Sequence, residues 1–239
     1  MHICFAFCSF NRTFAATKQI RMKDIAIFGA GGYGQEMKCL IDAINRVNEE
    51  WNFIGYFDDA GEKGEKVFGG VLLGNMDDLN NWEQELSIVI SIGKPSSLYS
   101  VAYRITNPKI HFPNLVAPDV VFHHKESVKM GKGNVVFFHS IISLEVEFGD
   151  FNLLNNGTYV GHNTKIGSYN IINPSTRISG NVEIGTKNFL GVGCAVLQGL
   201  KIGNEVKVSA GSYIFRNTKD GQLYMGNPAV MKVIPRINK

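Results

Sequence analysis

Residues 147–185 read EFGDFNLLNNGTYVGHNTKIGSYNIINPSTRISGNVEIG, with an apolar residue at every sixth place: Phe148, Leu154, Val160, Ile166, Ile172, Ile178 and Ile184. The register extends back to Met130, Val136 and Ile142 and forward to Leu190, Val196, Ile202, Val208 and Ile214. An α-helix repeats its apolar face every 3.6 residues and a half-buried strand every two, so neither explains a sixfold period. Hexapeptides stacked into a solenoid do.

A second period lies on the first. Gly131, Gly149, Gly167, Gly185 and Gly203 recur at eighteen, so three hexads make one turn of a triangular coil. Glycine returns at the same corner, where a side chain would obstruct the bend or the neighbouring coil. Two places before the core residues the chain is mostly small, as at Ser140, Thr158, Thr164, Thr176, Cys194 and Ser212. Asn134, Asn152, Asn170 and Asn188 occupy the same place and are expected to bond backbone or to stack on one another down the coils. The reading is a left-handed parallel β-helix over about residues 112–215, its five coils spanning roughly 24 Å. An antiparallel sandwich of short strands is the competing architecture, and it offers no reason for an eighteen-residue glycine period.

Ahead of the coils, DIAIF at 24–28 reads as a buried parallel strand and GAGGYG at 29–34 follows it. Gly29, Gly31 and Gly34 fit G-x-G-x-x-G at the start of a helix over 33–46. Such a turn lets backbone approach a phosphate and offers unpaired amides at a helix N-terminus; the alternative is a turn that only packs strand on helix. A second strand, 53–57, ends in Asp58 and Asp59, where a carboxylate can accept a ribose or sugar hydroxyl. A hairpin-like stretch at 60–74, a helix at 76–84, a strand at 87–92 and a helix at 96–106 complete the region. It is too short for the two βαβαβ halves of a dinucleotide fold, so a nucleotide-like substrate fits better than a nicotinamide cofactor. Lys94, in Gly93-Lys94-Pro95, opens onto the same strand edge, to meet phosphate or to face solvent. The expected organisation is mixed α/β: a Rossmann-like domain over 22–110, then a β-helix domain with a C-terminal tail over 111–239.

Composition narrows the classes. A formal charge of +3 on 239 residues, with no basic stripe, argues against a nucleic-acid partner. Cys4, Cys8, Cys39 and Cys194 show neither disulfide spacing nor a metal-ligand histidine pattern, which suits a reducing cytoplasm and no metal. Residues 1–21 stand apart. Ile3 to Phe10 is apolar but far short of the roughly 20 residues that span a bilayer, so no membrane insertion is expected. Met22-Lys23-Asp24 looks like a natural beginning. An arm or a mis-assigned start is therefore expected for 1–21, a signal peptide being the alternative.

For chemistry, His162 follows Val160-Gly161 and falls at a turn outside the apolar core, where an imidazole can take a proton near neutral pH. His139, on an outer corner, and His124, on the sixfold register, are weaker candidates.

Taken together, the short glycine-rich domain, Phe57-Asp58-Asp59, the coils, NNGTYVGHNTKIG at 155–167 and GNPA at 226–229 resemble the bacterial hexapeptide-repeat sugar acyltransferases. The likeness is to the sialic-acid O-acetyltransferase and UDP-4-amino-sugar N-acetyltransferase type, over about residues 22–235. It implies a homotrimer that uses acetyl-CoA and binds a UDP- or dTDP-linked amino sugar between the small domain and a neighbouring subunit's β-helix. It also implies His162 as general base with Asn163 beside it and Asn155 in the active site. Gly29, Gly31, Gly32, Tyr33, Gly34, Asp58, Asp59 and Lys94 then fall at the substrate end, and Gly180, Gly199, Asn227 and Pro228 at the acetyl-CoA end. Two positions depart from the family: Tyr33 stands where histidine is frequent, and Asn163 where an acidic residue is usual. A neutral amide can hydrogen-bond an imidazole but not raise its basicity as a carboxylate does. That suits an amine better than an alcohol, so N-acetylation is expected. O-acetylation of sialic acid or another glycan precursor, and a non-catalytic trimeric scaffold, are the alternatives.

Overall fold

A computed structural model of the chain describes residues 22–232; the expectations for residues 1–21, Cys4 and Cys8 included, lie outside them. Each hexad forms a two-residue strand and a corner, and three successive strands, Leu153–Leu154, Tyr159–Val160 and Lys165–Ile166, make the three sides of one coil. The next coil pairs parallel at a spacing of eighteen: Leu154 with Ile172, Val160 with Ile178, Ile166 with Ile184. The sixfold series points inward, and from Val136 to Ile214 no member is more than 5% exposed. Met130, at the first full coil, is half-buried.

The two jobs assigned to one glycine corner are divided between two positions. A Cβ on Gly167 would lie 2.6 Å from the Gly185 carbonyl oxygen, and one on Gly185 would lie 2.6 Å from that of Gly203, so this column is glycine because adjacent coils touch there. The bends come two residues later. Every sixth residue from Gly133 to Gly211 has φ between +54° and +74°, including Phe151, Asn163, Tyr169 and Lys187. That conformation costs a non-glycine residue about 1 kcal/mol or more, which the paired strands on either side absorb.

The inward asparagines form a ladder. Asn152 Nδ2 donates to Asn134 Oδ1 (3.0 Å) and to the Gly167 carbonyl (2.8 Å), and Asn170 repeats the pattern on Asn152 (2.9 Å) and Gly185 (2.9 Å). The ladder stops at Asn188, whose Nδ2 is buried without a partner. The next coil carries Val206 at that place, and its last strand pairing, Lys207 with Leu223, is spaced by sixteen residues instead of eighteen.

In the first domain β1 (Lys23–Phe28), α1 (Gly32–Val47), β2 (Trp51–Phe57), β3 (Lys66–Val67), β4 (Gly70–Gly74), α2 (Met76–Asn80), β5 (Leu86–Ile90), α3 (Pro95–Arg104) and β6 (Ile110–His111) form a sheet in the order β3-β4-β2-β1-β5-β6. The expected helix over 76–84 ends at Asn80. Asn75 and Asp78 close a capping box at its start, and beyond Asn81 Trp82 packs edge-on against Phe57 at 5.6 Å. The domain sits on one side of the prism, its core continuous with Leu115, Val135, Phe137, Leu153 and Ile171.

The three sides of the prism are therefore unlike. One lies under the first domain. A second presents Lys129, Glu147, Lys165, Glu183 and Lys201, alternating in sign down the coils, with Lys129–Glu147 at 3.3 Å and Lys201–Glu183 at 2.9 Å. The third presents Val121, Ile141, Tyr159, Arg177, Ala195 and Tyr213, mostly apolar and uncovered in the single chain. Among the described residues no helix is long and apolar enough to cross a membrane.

Candidate active site

His162 stands at the corner between the uncovered side and the charged side. The turn needs φ = +55° at Asn163, a conformation asparagine tolerates better than most residues. Its side-chain oxygen lies 2.9 Å from His162 Nδ1. An amide oxygen only accepts, so Nδ1 carries the hydrogen and Nε2 keeps its lone pair. The imidazole lies over Gly180 of the next coil, where a Cβ would come within 2.6 Å of Nε2 and 2.7 Å of Cε1. One coil further, the Gly199 amide donates to the Gly180 carbonyl at 3.1 Å. His162, Gly180 and Gly199 thus form one column. At the far end of the uncovered side the tail folds back, Tyr213 N–H donating to Gly226 O (3.0 Å) and Ala229 N–H to Tyr213 O (2.8 Å), which brings the exposed Asn227 and Pro228 to that end.

Asn155 lies at the opposite corner of the same side. It is buried, and its Oδ1 accepts from the Tyr33 hydroxyl at 3.2 Å. Tyr33 belongs to the first turn of α1, with its ring 5.7 Å from that of Phe137. Burial, and then the charge of Glu36, hold this phenol far above its ordinary range, so it stays a donor. Tyr33 therefore pins the glycine loop to the β-helix. Asn155 and His162 lie at successive corners of one coil with the strand Tyr159–Val160 between them, so a single chain keeps them apart.

Within the glycine loop the positions differ. Gly29 has φ = +111° and a Cβ there would meet Ser91 Oγ at 2.5 Å; a Cβ on Gly34 would collide with the Gly29 carbonyl oxygen. Gly31 and Gly32 face open space and begin α1, where the first amides of a helix lack intrahelical partners. Asp58 braces this loop: Oδ2 accepts from Ala30 N–H (2.7 Å) and Oδ1 from Ala60 N–H (2.9 Å). Asp59 is turned to other work, pairing with Arg104 at 2.8 Å and accepting from Met76 N–H at 3.1 Å. Lys94 precedes α3 and lines a separate cleft of about 600 Å³ with Tyr99, Lys187, Phe189, Glu205 and Lys207. Nothing in the sequence marked Lys187 or Lys207, which meet Lys94 only through folding.

The weaker histidines lie elsewhere. His139 pairs with Asp119 at 2.7 Å, and His124, exposed, is 3.9 Å from Glu126. Cys194 packs inside the prism, where burial pushes its thiol up to about 11. Among the described residues no group of three or more His, Cys, Asp and Glu is placed to hold a metal ion.

Comparison with known proteins bears on this geometry. Residues 24–105 match the family model described as the PglD N-terminal domain. No curated protein sequence is matched. Among solved structures the chain is similar to PerB from Caulobacter crescentus, determined with CoA and GDP-perosamine, at 26% identity and a TM-score of 0.79 over 89% of this chain and 99% of that one. It shares its fold with the acetyltransferase domain of PglB from Neisseria gonorrhoeae (24% identity, TM-score 0.79, 88% and 100% covered) and with WeeI from Acinetobacter baumannii (22%, 0.76, 89% and 100%).

Proposed function

We propose that this chain, built as a hexapeptide-repeat sugar acyltransferase, moves an acetyl group from acetyl-CoA to the amine of a nucleotide-linked amino sugar. The observation that carries the reading is His162, its Nδ1 bound by Asn163 and its Nε2 open above the glycine column. PerB, similar over nearly the whole chain, is bound to CoA and a GDP-linked amino sugar, which supports the same two ligands here.

In this mechanism the sugar amine attacks the thioester carbonyl, and the new C–N bond forms as the C=O π electrons move onto oxygen to give an oxyanion. Collapse of that oxyanion restores C=O as the thiolate is expelled. His162 Nε2 takes the N–H proton, the C–S bond breaks, and the CoA thiolate leaves, accepting a proton from the imidazolium or from solvent. Backbone amides along the coil edges stabilise the oxyanion. No covalent enzyme intermediate is needed. Acetyl-CoA extends along the column from Gly180 past Gly199 toward Asn227 and Pro228, and the nucleotide end meets the free amides of Gly31 and Gly32.

The acceptor half of this site, with Tyr33 and Asn155, and the base lie at two ends of one side of the prism. Three chains packed in parallel about a threefold axis through their uncovered apolar sides would bring His162 of one to the Asn155 corner of the next. A homotrimer is thus part of the proposal, as is a cytoplasmic setting in which both substrates are at hand.

The test is a screen of acetyl-CoA consumption over UDP-, dTDP- and GDP-linked amino sugars, their hydroxyl counterparts and free sialic acids, with mass analysis of the product. An N-acetylated nucleotide sugar is expected, and His162→Ala should lower its kcat/KM by roughly 10² to 10⁴-fold at neutral pH. Turnover of the hydroxyl compounds alone, or equal rates in wild type and His162→Ala, would contradict it.

A further inference from the structure

Two sets of lysines among the described residues stand in contrast. On the charged side Lys129, Lys165 and Lys201 each lie within 4.0 Å of a glutamate carboxylate. Around the cleft beside α3, Lys94, Lys187 and Lys207 make no ion pair among the described residues. One carboxylate, Glu205, lines the cleft with them, leaving an excess of positive charge around a concave wall.

That wall is prepared for a flat, anionic molecule. The Lys187 ammonium is 3.6 Å from the centroid of the Tyr99 ring, so its charge is held against an aromatic face instead of roaming in solvent. Tyr99 is fixed in turn by the edge of Tyr169 at 5.1 Å. Phe189 adds a second apolar surface, and the first turn of α3 closes one end with the positive pole of its dipole. About 600 Å³ is room for a nucleotide-sized ligand. None of Gly29, Gly31, Gly34 or Asp58 lines this cleft, so it is distinct from the glycine loop.

We propose that the cleft between α3 and the later coils binds a nucleoside phosphate, with the phosphates among Lys94, Lys187 and Lys207 and the base against Phe189. The ligand is a free nucleotide, since the proposed reaction places the nucleotide end of the sugar substrate at the glycine loop. Binding here does not depend on acetyl transfer, and the test reads it without turnover.

The experiment is equilibrium binding of UDP, GDP, ADP and inorganic phosphate to the full chain, comparing wild type with Lys187→Glu/Lys207→Glu and with Glu205→Gln. Both lysines reach solvent, and Lys187→Gln/Lys207→Gln serves if charge reversal disturbs folding. Nucleoside diphosphates should bind more tightly than phosphate. The double variant should lose at least about tenfold in affinity with an unchanged melting curve, and Glu205→Gln should bind more tightly. The nucleotide sugar should bind wild type and the double variant alike, and loss of its binding in the double variant would overturn a site separate from the glycine loop. Wild type without nucleotide affinity, or a folded double variant that binds nucleoside diphosphates like wild type, overturns the assignment.

Discussion

At the residue scale the proposed chemistry turns on a hydrogen bond between neighbours. Asn163 fixes the His162 tautomer without adding charge, so Asn163→Asp, which keeps a residue tolerant of positive φ, isolates the missing carboxylate. A negative charge beside the ring favours imidazolium, and the base then remains protonated to higher pH. The acidic limb of kcat/KM should therefore shift upward in pH in Asn163→Asp, whereas superimposable profiles would mean that position 163 does not buttress the base. Gly180 is open to a steric test. In Gly180→Ala the new methyl would meet the imidazole, and because His162 is on the surface the ring can swing away without unfolding the coil. Activity should drop at least about tenfold, the loss expected of a displaced base, while the melting temperature stays within a few degrees. The place of His162 was legible from its offset against the sixfold register. The Tyr33–Asn155 contact was not, since 122 residues separate the partners and either side chain alone reads as ordinary.

At the scale of elements the hexads were the most readable feature, because burial in a narrow prism constrains every sixth side chain. Ile184 is 4% exposed, so Ile184→Asp should bury an unpaired carboxylate and destabilise the β-helix by several kcal/mol, on the order of 3 to 5; wild-type unfolding would break the register. Cys194 adds a pH dependence. Its thiol is raised from 9.0 to about 11 by burial, so the unfolded chain gives up this proton first and stability is lost as pH rises between those values. Wild type should lose up to about 3 kcal/mol relative to Cys194→Ser across that window, measured by urea unfolding at each pH. The corners were less legible. Their left-handed residues range from glycine to phenylalanine, so composition does not mark them, and the glycines that do recur answer to contact between coils. The shortening of α2 rested on Trp82 finding Phe57, a tertiary contact that periodicity cannot show.

At the scale of the molecule the three sides of the prism carry the functional argument. Each was written in the outward residues of the hexads, but their roles became visible only when the first domain was seen to cover one side and ion pairs another. The apolar side remains, with His162 at one edge and the Tyr33–Asn155 corner at the other, so under the proposed mechanism one site draws on two chains. Subunit complementation tests this most directly. His162→Ala and Asn155→Ala are each expected to be nearly inactive as pure proteins. Co-refolded in equal amounts, they should assemble mixed trimers in which about one interface in four joins an intact His162 to an intact Asn155. Acetyl transfer to the nucleotide amino sugar should then return to about a quarter of the wild-type rate, the fraction set by random assortment. Mixed trimers, verified by mass, that are no more active than the two pure variants would contradict a site shared between subunits.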